Sequence, residues 1–179
     1  IDKIIKGMSI DQKIGQACLK GTSSRSKGLS EELKNEVRKG LVGSVLNLTE
    51  PNLVLELQKI AVEESPNQIP LLFGRDVIHG YKTIFPIPLG LAASWNMELV
   101  EKTSKIAANE SYSKCINWTF APMVDIARDA RWGRIAESPG EDPLLASRLG
   151  TAYIKGFQGT DPLVPGQILA CVKHFAAYG

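Results

Sequence analysis

Helical spacing of apolar residues alternates along the chain with short runs that are apolar throughout. The first helical pattern begins at Ser9, where Gln12 completes a capping-box signal and apolar residues follow at helical spacing. Pro51 and Asn96 stand at two further helix starts, where proline and asparagine are both favoured. The predicted helices cover residues 9–18, 30–40, 51–62, 97–114 and 142–158.

The apolar runs between these helices predict buried strands. They cover residues 42–48, 69–74, 118–124 and 168–172. Strands that are apolar on both faces and separated by helices are typical of a parallel sheet covered on both sides. The pattern therefore predicts the α/β fold class.

About four strand and helix pairs fit into the chain, half of the eight that close a TIM barrel. The sequence also stops directly after its last predicted strand, before any covering helix. We therefore expect a (β/α)8 TIM-barrel type of fold with only about the first half of the barrel present. Residues 1–179 would then form one incomplete domain, with no second domain. A complete small doubly wound sheet is the alternative, although the glycine fingerprint of dinucleotide-binding sheets is missing.

Composition is that of an ordinary globular protein, with 44% hydrophobic and 22% charged residues among 179. The formal net charge of +2 is too small to attract a polyanion, so nucleic acid is not an expected partner. Cys18, Cys115 and Cys171 are widely spaced, which predicts core thiols. No apolar run approaches the roughly 20 residues of a membrane helix, so no membrane partner is expected. Localisation stays open, because a start at Ile1 is compatible with a cleaved targeting segment.

Charged residues gather where the predicted strands end. Asp76 follows one strand, residues 125–137 follow the next, and Lys173 and His174 follow the last. Because active sites of barrels lie at the carboxyl ends of the strands, these groups predict a polar-ligand site on one rim. Asp76 can accept hydrogen bonds from neighbouring hydroxyls, to which Arg134 and Lys173 can donate. The vicinal hydroxyls of a sugar suit this set.

Several of these residues also have structural interpretations. Asp76 could instead pair with Arg75 or cap a helix, and His79 could pack beneath the site with a bond to the backbone. Trp132 either stacks on a sugar face or anchors its own loop. His174 could act as a general base, since histidine titrates near neutrality, but we favour a hydrogen bond that it donates to the substrate.

The acidic residues near the arginines have alternative roles. Glu137, Glu141 and Asp142 could orient the arginines, cap the following helix or bind a metal. Pairing and capping are favoured, because calcium ligands usually follow a tighter alternating spacing. The sequence contains no HExxH or clustered Cys/His motif, and no serine, histidine and acid triad with its usual elbow. No metal and no cofactor are therefore expected.

Motifs along nearly the whole chain stand in the order found in one known family. They are residues 8–16, Asp-Val-Ile-His-Gly at 76–80, residues 85–90, Arg-Trp-Gly-Arg at 131–134, residues 137–143 and Lys-His-Phe-Ala at 173–176. Together they resemble the amino-terminal domain of glycoside hydrolase family 3. The resemblance implies a barrel domain with a sugar subsite whose hydroxyl ligands are Asp76, Arg134, Lys173 and His174. The residues expected to support this subsite are Arg131, Trp132, Glu137 and Glu141.

The resemblance also implies retaining chemistry, in which a carboxylate attacks the anomeric carbon, an acid protonates the leaving oxygen and water resolves the glycosyl-enzyme. Family members place the nucleophilic aspartate after a later strand and usually take the acid/base from a separate following domain. No catalytic residue is therefore expected in this chain, and the fragment alone is predicted to be inactive. Asp125 and Asp129 precede the arginine motif and do not match the context of the nucleophile.

Within the family, the resemblance favours the β-glucosidases. Residues 176–179 lack the Pro-Gly-His run of the bacterial N-acetylglucosaminidases, and xylosidase-like members tend to have glutamate at the position of Asp76. The expected parent is an exo-acting β-glucosidase, periplasmic or secreted, that acts on β-glucosides or oligosaccharides. Its expected partners are this substrate and the rest of its own polypeptide, or a second copy in a homo-oligomer.

Two other hypotheses stay open at this point. The chain could be a non-catalytic carbohydrate-binding or scaffold domain that keeps the sugar rim without a nucleophile. It could also be a small complete α/β domain for another ligand. A nucleophilic aspartate in the sequence after residue 179 would favour the enzyme.

Overall fold

The computed structural model describes residues 1–22, 28–176 and 178. The chain divides into two compact units. The first contains Ile1–Gly74 and Lys114–Ile116, and the second contains Arg75–Ser113 and Asn117–Gly179.

The first unit is built from parallel strands and the helices between them. Its elements are α1 (Asp2–Gly7), α2 (Ile10–Gln16), β1 (Leu19–Gly21), α3 (Glu31–Arg38), β2 (Ser44–Leu46), α4 (Pro51–Lys59), a π-helical turn (Ile60–Glu64) and β3 (Leu72–Arg75), whose last residue falls in the second unit. Strand β2 pairs with both β1 and β3, with Ser44 opposite Leu19 and Leu72. The predicted parallel pairing is confirmed here.

The helices of this unit begin where the sequence predicts. Ser9 Oγ accepts a hydrogen bond from Gln12 N at 3.2 Å, and Ser9 N donates to Gln12 Oε1 at 3.0 Å, so the capping box is confirmed. Ser30 caps α3 by accepting from Leu33 N. Pro51 occupies the first turn of α4, where the missing N–H of proline costs no helical hydrogen bond.

The core of the first unit lies between its helices and strands. It includes the nearly inaccessible side chains of Val37, Val45, Leu57 and Phe73. Full burial of each such side chain contributes roughly 1.5–3 kcal/mol. Strand β1 lies outside the predicted strands, because three residues around a lysine carry no strand pattern and only the pairing with β2 defines them.

The second unit continues the alternation of helices and parallel strands. Its elements are α5 (Pro88–Ala92), α6 (Met97–Tyr112), β4 (Trp118–Thr119), a 3₁₀ turn (Ile135–Glu137), α7 (Pro143–Gln158) and β5 (Leu169–Ala170). Asn96 Oδ1 accepts from Leu99 N at the start of α6, and Asp142 Oδ1 accepts from Leu145 N at the start of α7. The predicted starts of both helices are therefore confirmed.

Helices α6 and α7 pack closely in the core of the second unit. Gly156 of α7 permits the approach, because a Cβ there would collide with the carbonyl oxygen of Glu101 on α6. Trp118 of β4 lies opposite Leu169 of β5 in parallel register. The buried side chains of this core include Val77, Val100, Leu149, Phe157 and Ile168.

Backbone pairing continues past the regular parts of β4 and β5. Lys173 N donates to Pro122 O at 3.0 Å, and Lys173 O accepts from Val124 N at 2.8 Å. The observed pairing therefore runs through the strands predicted over 118–124 and 168–172. Only two residues of each form a regular strand. This extension carries Lys173 to the carboxyl end of the paired segments.

The parallel pairings confirm the predicted α/β class. All three cysteines are half-buried free thiols, and Cys115 packs against the core of the first unit, as predicted. In the part of the chain that the structure describes, no helix has the length and apolar character needed to cross a membrane.

Candidate functional site

The residues predicted to bind a ligand lie together in the second unit. Lys173 Nζ donates a hydrogen bond to Asp76 Oδ1 at 3.1 Å. The neighbouring His174 has its Nε2 atom 3.4 Å from Nη1 of Arg134. Asp76 follows the last residue of β3, and Lys173 and His174 follow β5, so strand ends bring these groups together. We call Asp76, Arg134, Lys173 and His174 the rim cluster.

The ion pair between Asp76 and Lys173 joins an open group to a covered one. The side chain of Asp76 is 53% exposed, whereas that of Lys173 is 14% exposed. The carboxylate therefore keeps lone pairs available to solvent or to incoming hydroxyls. Arg75 instead lies with its Cζ atom 5.6 Å from the ring centroid of Tyr81. The alternative in which Asp76 pairs with Arg75 is therefore wrong.

The loop after β3 is held by its own hydrogen bonds. His79 Nδ1 lies 3.0 Å from Phe85 O, which confirms the interpretation of His79 as a packed histidine bonded to the backbone. Glu110 of α6 accepts hydrogen bonds from Thr83 Oγ1 at 2.6 Å and Thr83 N at 2.8 Å. These bonds, the side-chain one first, hold the pKa of Glu110 below its usual range.

Arg134 is oriented by Glu137. Arg134 Nε donates to Oε1 at 2.8 Å and Nη2 donates to Oε2 at 2.6 Å, the bidentate geometry in which a guanidinium matches a carboxylate. This pairing lowers the pKa of Glu137 and raises the pKa of Arg134, which Tyr178 raises further. The remaining Nη1 faces His174 and donates to Tyr178 Oη at 3.1 Å. The predicted pairing of Glu137 with an arginine is confirmed.

His174 is held by Asp125. From the sequence, Asp125 is considered only as a possible nucleophile and is rejected. The Asp125 side chain is 3% exposed, and its Oδ2 atom lies 2.9 Å from His174 Nδ1. The same oxygen accepts from the backbone N of His174 at 3.1 Å. Because the two residues are 49 positions apart, no local sequence signal identifies this contact.

A second arginine–carboxylate pair lies in the same loop but outside the rim cluster. Arg131 Nη2 lies 2.5 Å from Asp129 Oδ2, and the Arg131 side chain is 91% exposed. The hydrogen bond lowers the pKa of Asp129 and raises that of Arg131. We call Asp129 and Arg131 the outer turn. Arg131 therefore braces a surface turn.

Trp132 and Glu141 were expected to support the subsite. Trp132 is half-buried, with its ring edge-on to that of Tyr178 and the centroids 5.6 Å apart, the contact of an anchored side chain. Glu141 is exposed, and within residues 1–22, 28–176 and 178 it makes no hydrogen bond or ion pair. The structure therefore gives Glu141 no contact through which to hold the loop. Its neighbour Asp142 caps α7, one of the predicted roles.

Tyr178 is a further residue that sequence reasoning missed. Its ring centroid lies 4.2 Å from that of His174, and Arg134 Cζ lies 5.5 Å from the same ring. A single tyrosine beyond the last predicted strand carries no motif. Its contacts with His174 and Arg134 are visible in the structure alone.

The chemistry of the rim cluster is that of hydroxyl binding. It combines a carboxylate acceptor, two cationic donors and an imidazole in two contacting pairs, which the adjacent residues Lys173 and His174 bring together. Among the described residues, no group of three His, Cys, Asp or Glu side chains could hold a metal ion. A polyhydroxylated ligand matches this mixture of donors and acceptors.

Comparison with known proteins gives a consistent result. The profile described as Glycosyl hydrolase family 3 N terminal domain matches residues 9–179. A periplasmic β-glucosidase from Salmonella typhimurium is 38% identical over 179 residues, and a lysosomal β-glucosidase from Dictyostelium discoideum is 32% identical over 209. A mutant β-glucosidase from Listeria innocua, solved in complex with laminaribiose, aligns with a TM-score of 0.84 and 38% identity. This similarity supports the predicted barrel type over the doubly wound sheet.

These alignments cover almost all of the present chain but only part of each relative. The chain is covered to 100%, 99% and 99% in the Salmonella, Dictyostelium and Listeria comparisons. It spans about a quarter of those proteins, namely 23%, 26% and 27% of their lengths. The chain belongs to glycoside hydrolase family 3, and residues 9–179 correspond to that family's N-terminal domain.

Proposed function

We propose that this chain carries much of the glucose-binding subsite of a retaining, exo-acting β-glucosidase. The observation that carries the proposal is the rim cluster, in which the Asp76–Lys173 pair and the His174–Arg134 pair are brought together by the adjacent residues 173 and 174. The names of the Salmonella, Dictyostelium and Listeria relatives support the choice of a β-glucoside. The substrate class is therefore a β-glucoside or a short oligosaccharide that ends in glucose.

Each member of the rim cluster has a distinct task in this proposal. The open carboxylate of Asp76 accepts hydrogen bonds from sugar hydroxyls, and the covered ammonium of Lys173 keeps that carboxylate charged and oriented. Arg134 is already aligned by Glu137, so little side-chain entropy is lost when its guanidinium donates to a ligand. Hydrogen bonds to charged groups contribute roughly 1.5–3 kcal/mol each, enough to hold a sugar ring in one orientation.

The bond-breaking carboxylates of the proposed enzyme belong to chain that follows residue 179. Retaining hydrolysis needs a nucleophile and a general acid on opposite sides of the scissile bond, about 5–5.5 Å apart. Asp125 is unsuited to attack, because its buried oxygens are engaged by His174. Residues 1–179 then form the amino-terminal part of one barrel domain, and this piece alone has no hydrolytic activity.

A panel of aryl glycosides tests the proposal on the full-length protein. We expect aryl β-glucoside to be among the best substrates, ahead of aryl β-xyloside. The xyloside is the relevant competitor, because a β-xylosidase from Formosa agariphila is 30% identical over 168 residues. Preference for xyloside would overturn the assignment to glucose.

Two further measurements distinguish a glucosidase from a non-catalytic carbohydrate-binding domain. Proton NMR of the reaction mixture should show the β-anomer of glucose as the first product, as retention requires. Calorimetric titration with glucose should show binding whether or not hydrolysis occurs. Binding without any hydrolysis would identify a non-catalytic carbohydrate-binding domain instead.

We also propose that the protein acts outside the cytoplasm. The support is that the named relatives include a periplasmic and a lysosomal enzyme. Fractionation of the source cells should place the glucosidase activity in the periplasm, the medium or an equivalent compartment. Activity confined to the cytosol would contradict this proposal.

A further inference from the structure

The imidazole of His174 lies between a hydrogen-bond acceptor on one side and a hydrogen-bond donor on the other. On one side, Asp125 Oδ2 is 2.9 Å from Nδ1. On the other side, Arg134 Nη1 is 3.4 Å from Nε2. One neighbour needs a ring nitrogen that donates and the other needs a ring nitrogen that accepts. Together they select one tautomer of the imidazole.

Asp125 demands a proton on Nδ1. Its carboxylate is buried, and both oxygens already accept from the backbone N of His174, at 3.3 Å and 3.1 Å. No lysine or arginine side chain lies within ion-pair distance of Asp125 in the described part of the chain. An ionised carboxylate only accepts hydrogen bonds, so the ring nitrogen that meets it must donate.

Arg134 demands a lone pair on Nε2. A guanidinium has donors and no acceptor, so any nitrogen that it approaches must accept. A proton on Nε2 would point at the arginine N–H and be repelled. The ring that satisfies both neighbours is therefore the neutral tautomer with its hydrogen on Nδ1.

We propose that Asp125 is a positioning residue that fixes His174 as this tautomer, so that Nε2 presents a lone pair to the rim. A sugar hydroxyl that takes the place of Arg134 Nη1 at Nε2 then donates its hydrogen to the single lone pair of that nitrogen, the reverse of the donor role expected from the sequence. The link to catalysis rests on the proposed function, because it takes a sugar as the ligand. The tautomer itself depends only on the geometry of these three residues.

Nitrogen NMR of histidine-labelled full-length protein tests the proposal directly. Long-range proton–nitrogen spectra distinguish the two neutral tautomers, and the His174 signals are assigned by their loss in His174→Gln. We expect the Nδ1–H tautomer in the wild type at the pH of activity. A wild-type ring with its hydrogen on Nε2, or on both nitrogens, would overturn the proposal.

Substitution of Asp125 is the second test of the proposed tautomer. Asp125→Ala removes the acceptor at Nδ1 and leaves the longer contact with Arg134 to select the tautomer, so the Nε2–H form should appear beside the Nδ1–H form and kcat/KM should fall roughly tenfold to hundredfold. Asp125→Asn can keep an oxygen opposite Nδ1, so the wild-type tautomer and most of the activity should return. Asp129→Ala is the matched control, and its spectrum and kcat/KM should equal those of the wild type.

The outcomes separate this inference from the proposed function. An unchanged His174 spectrum in folded Asp125→Ala would sink the positioning role even if the protein hydrolyses glucosides well. The expected tautomer and its loss would support that role even if no glucoside is cleaved. If Asp125→Ala does not fold, the wild-type spectrum and the Asp125→Asn variant still decide the matter.

Discussion

Two arginine–carboxylate pairs that lie close together in the sequence differ in almost every physical respect. In the outer turn, Arg131 is 91% exposed, and among the described residues its hydrogen bonds go to Asp129, two residues away. Arg134 is 31% exposed, forms a bidentate pair with Glu137, and also contacts His174 and Tyr178 through Nη1. The first pair shapes a surface turn, and the second directs a cation into the rim cluster.

The contrast shows that charge density along a sequence does not identify a site. An isolated exposed ion pair contributes little, because water and salt screen it and two long side chains must be ordered. A partly covered guanidinium with several fixed partners is already oriented before a ligand arrives. The partners from distant parts of the chain, more than the charge itself, are the reason why we propose Arg134 and not Arg131 as a ligand residue.

The largest difference between rim and outer turn is expected from Asp76→Ala. Removing the acceptor of substrate hydroxyls also leaves Lys173 without its carboxylate, so about 3 kcal/mol of transition-state stabilisation should be lost. The measurement is kcat/KM for an aryl β-glucoside with the full-length protein. Asp129→Ala, the same change in the outer turn, should stay within about twofold of wild type. Near-normal kcat/KM in Asp76→Ala would remove Asp76 from the site.

The two arginines provide the most closely matched comparison. Arg134→Ala should reduce kcat/KM by roughly 30-fold, because it removes a ligand donor and leaves Glu137 and His174 without their partner. Arg131→Ala should have an effect of about twofold or less. Equal losses in the two variants would show that the burial of Arg134 has no functional meaning.

Acid should weaken the pair formed by Arg134 and Glu137. The folded protein holds the pKa of Glu137 below its usual range, chiefly through the hydrogen bond with Arg134. The resulting stability is complete above the unfolded-state pKa of about 4.3 and disappears as pH falls through the lower folded-state pKa. The free energy of unfolding, measured between about pH 6 and pH 3, should therefore fall more steeply in wild type than in Glu137→Gln. Parallel curves would contradict this.

The smallest expected effect is the coupling inside the outer turn. A double-mutant cycle on Arg134 and Glu137 should give a coupling of about 1 kcal/mol in the free energy of unfolding. The same cycle on Arg131 and Asp129 should give no measurable coupling, because the Arg131 side chain is 91% exposed and water screens the pair. A coupling in the outer turn as large as that of Arg134 and Glu137 would abolish the distinction.

Helix starts in this chain are predictable because their signals are local. Ser9, Asn96 and Asp142 each accept a hydrogen bond from a backbone N–H three residues later, so a short sequence window contains the whole interaction. Strand β1 is different. Leu19–Gly21 becomes a strand only through pairing with β2, about 25 residues away, and no window around it contains that information.

The candidate site shows the same division between local and distant contacts. The Arg134 and Glu137 pair spans three residues and follows from the motif, whereas the contact of Asp125 with His174 spans 49. From sequence alone, Asp125 and Asp129 are equivalent acids in one loop. Folding buries the first against His174 and leaves the second at the surface. Glu141 was expected to brace the loop, but its carboxylate is exposed.

A crystal structure of the full-length protein with glucose bound tests the central claim most directly. The account predicts that sugar hydroxyls lie within hydrogen-bond distance of the Asp76 carboxylate, Lys173 Nζ and the Arg134 guanidinium, while Arg131 contacts no part of the sugar. Glucose bound elsewhere, or held through the outer turn with the rim cluster in water, would contradict it.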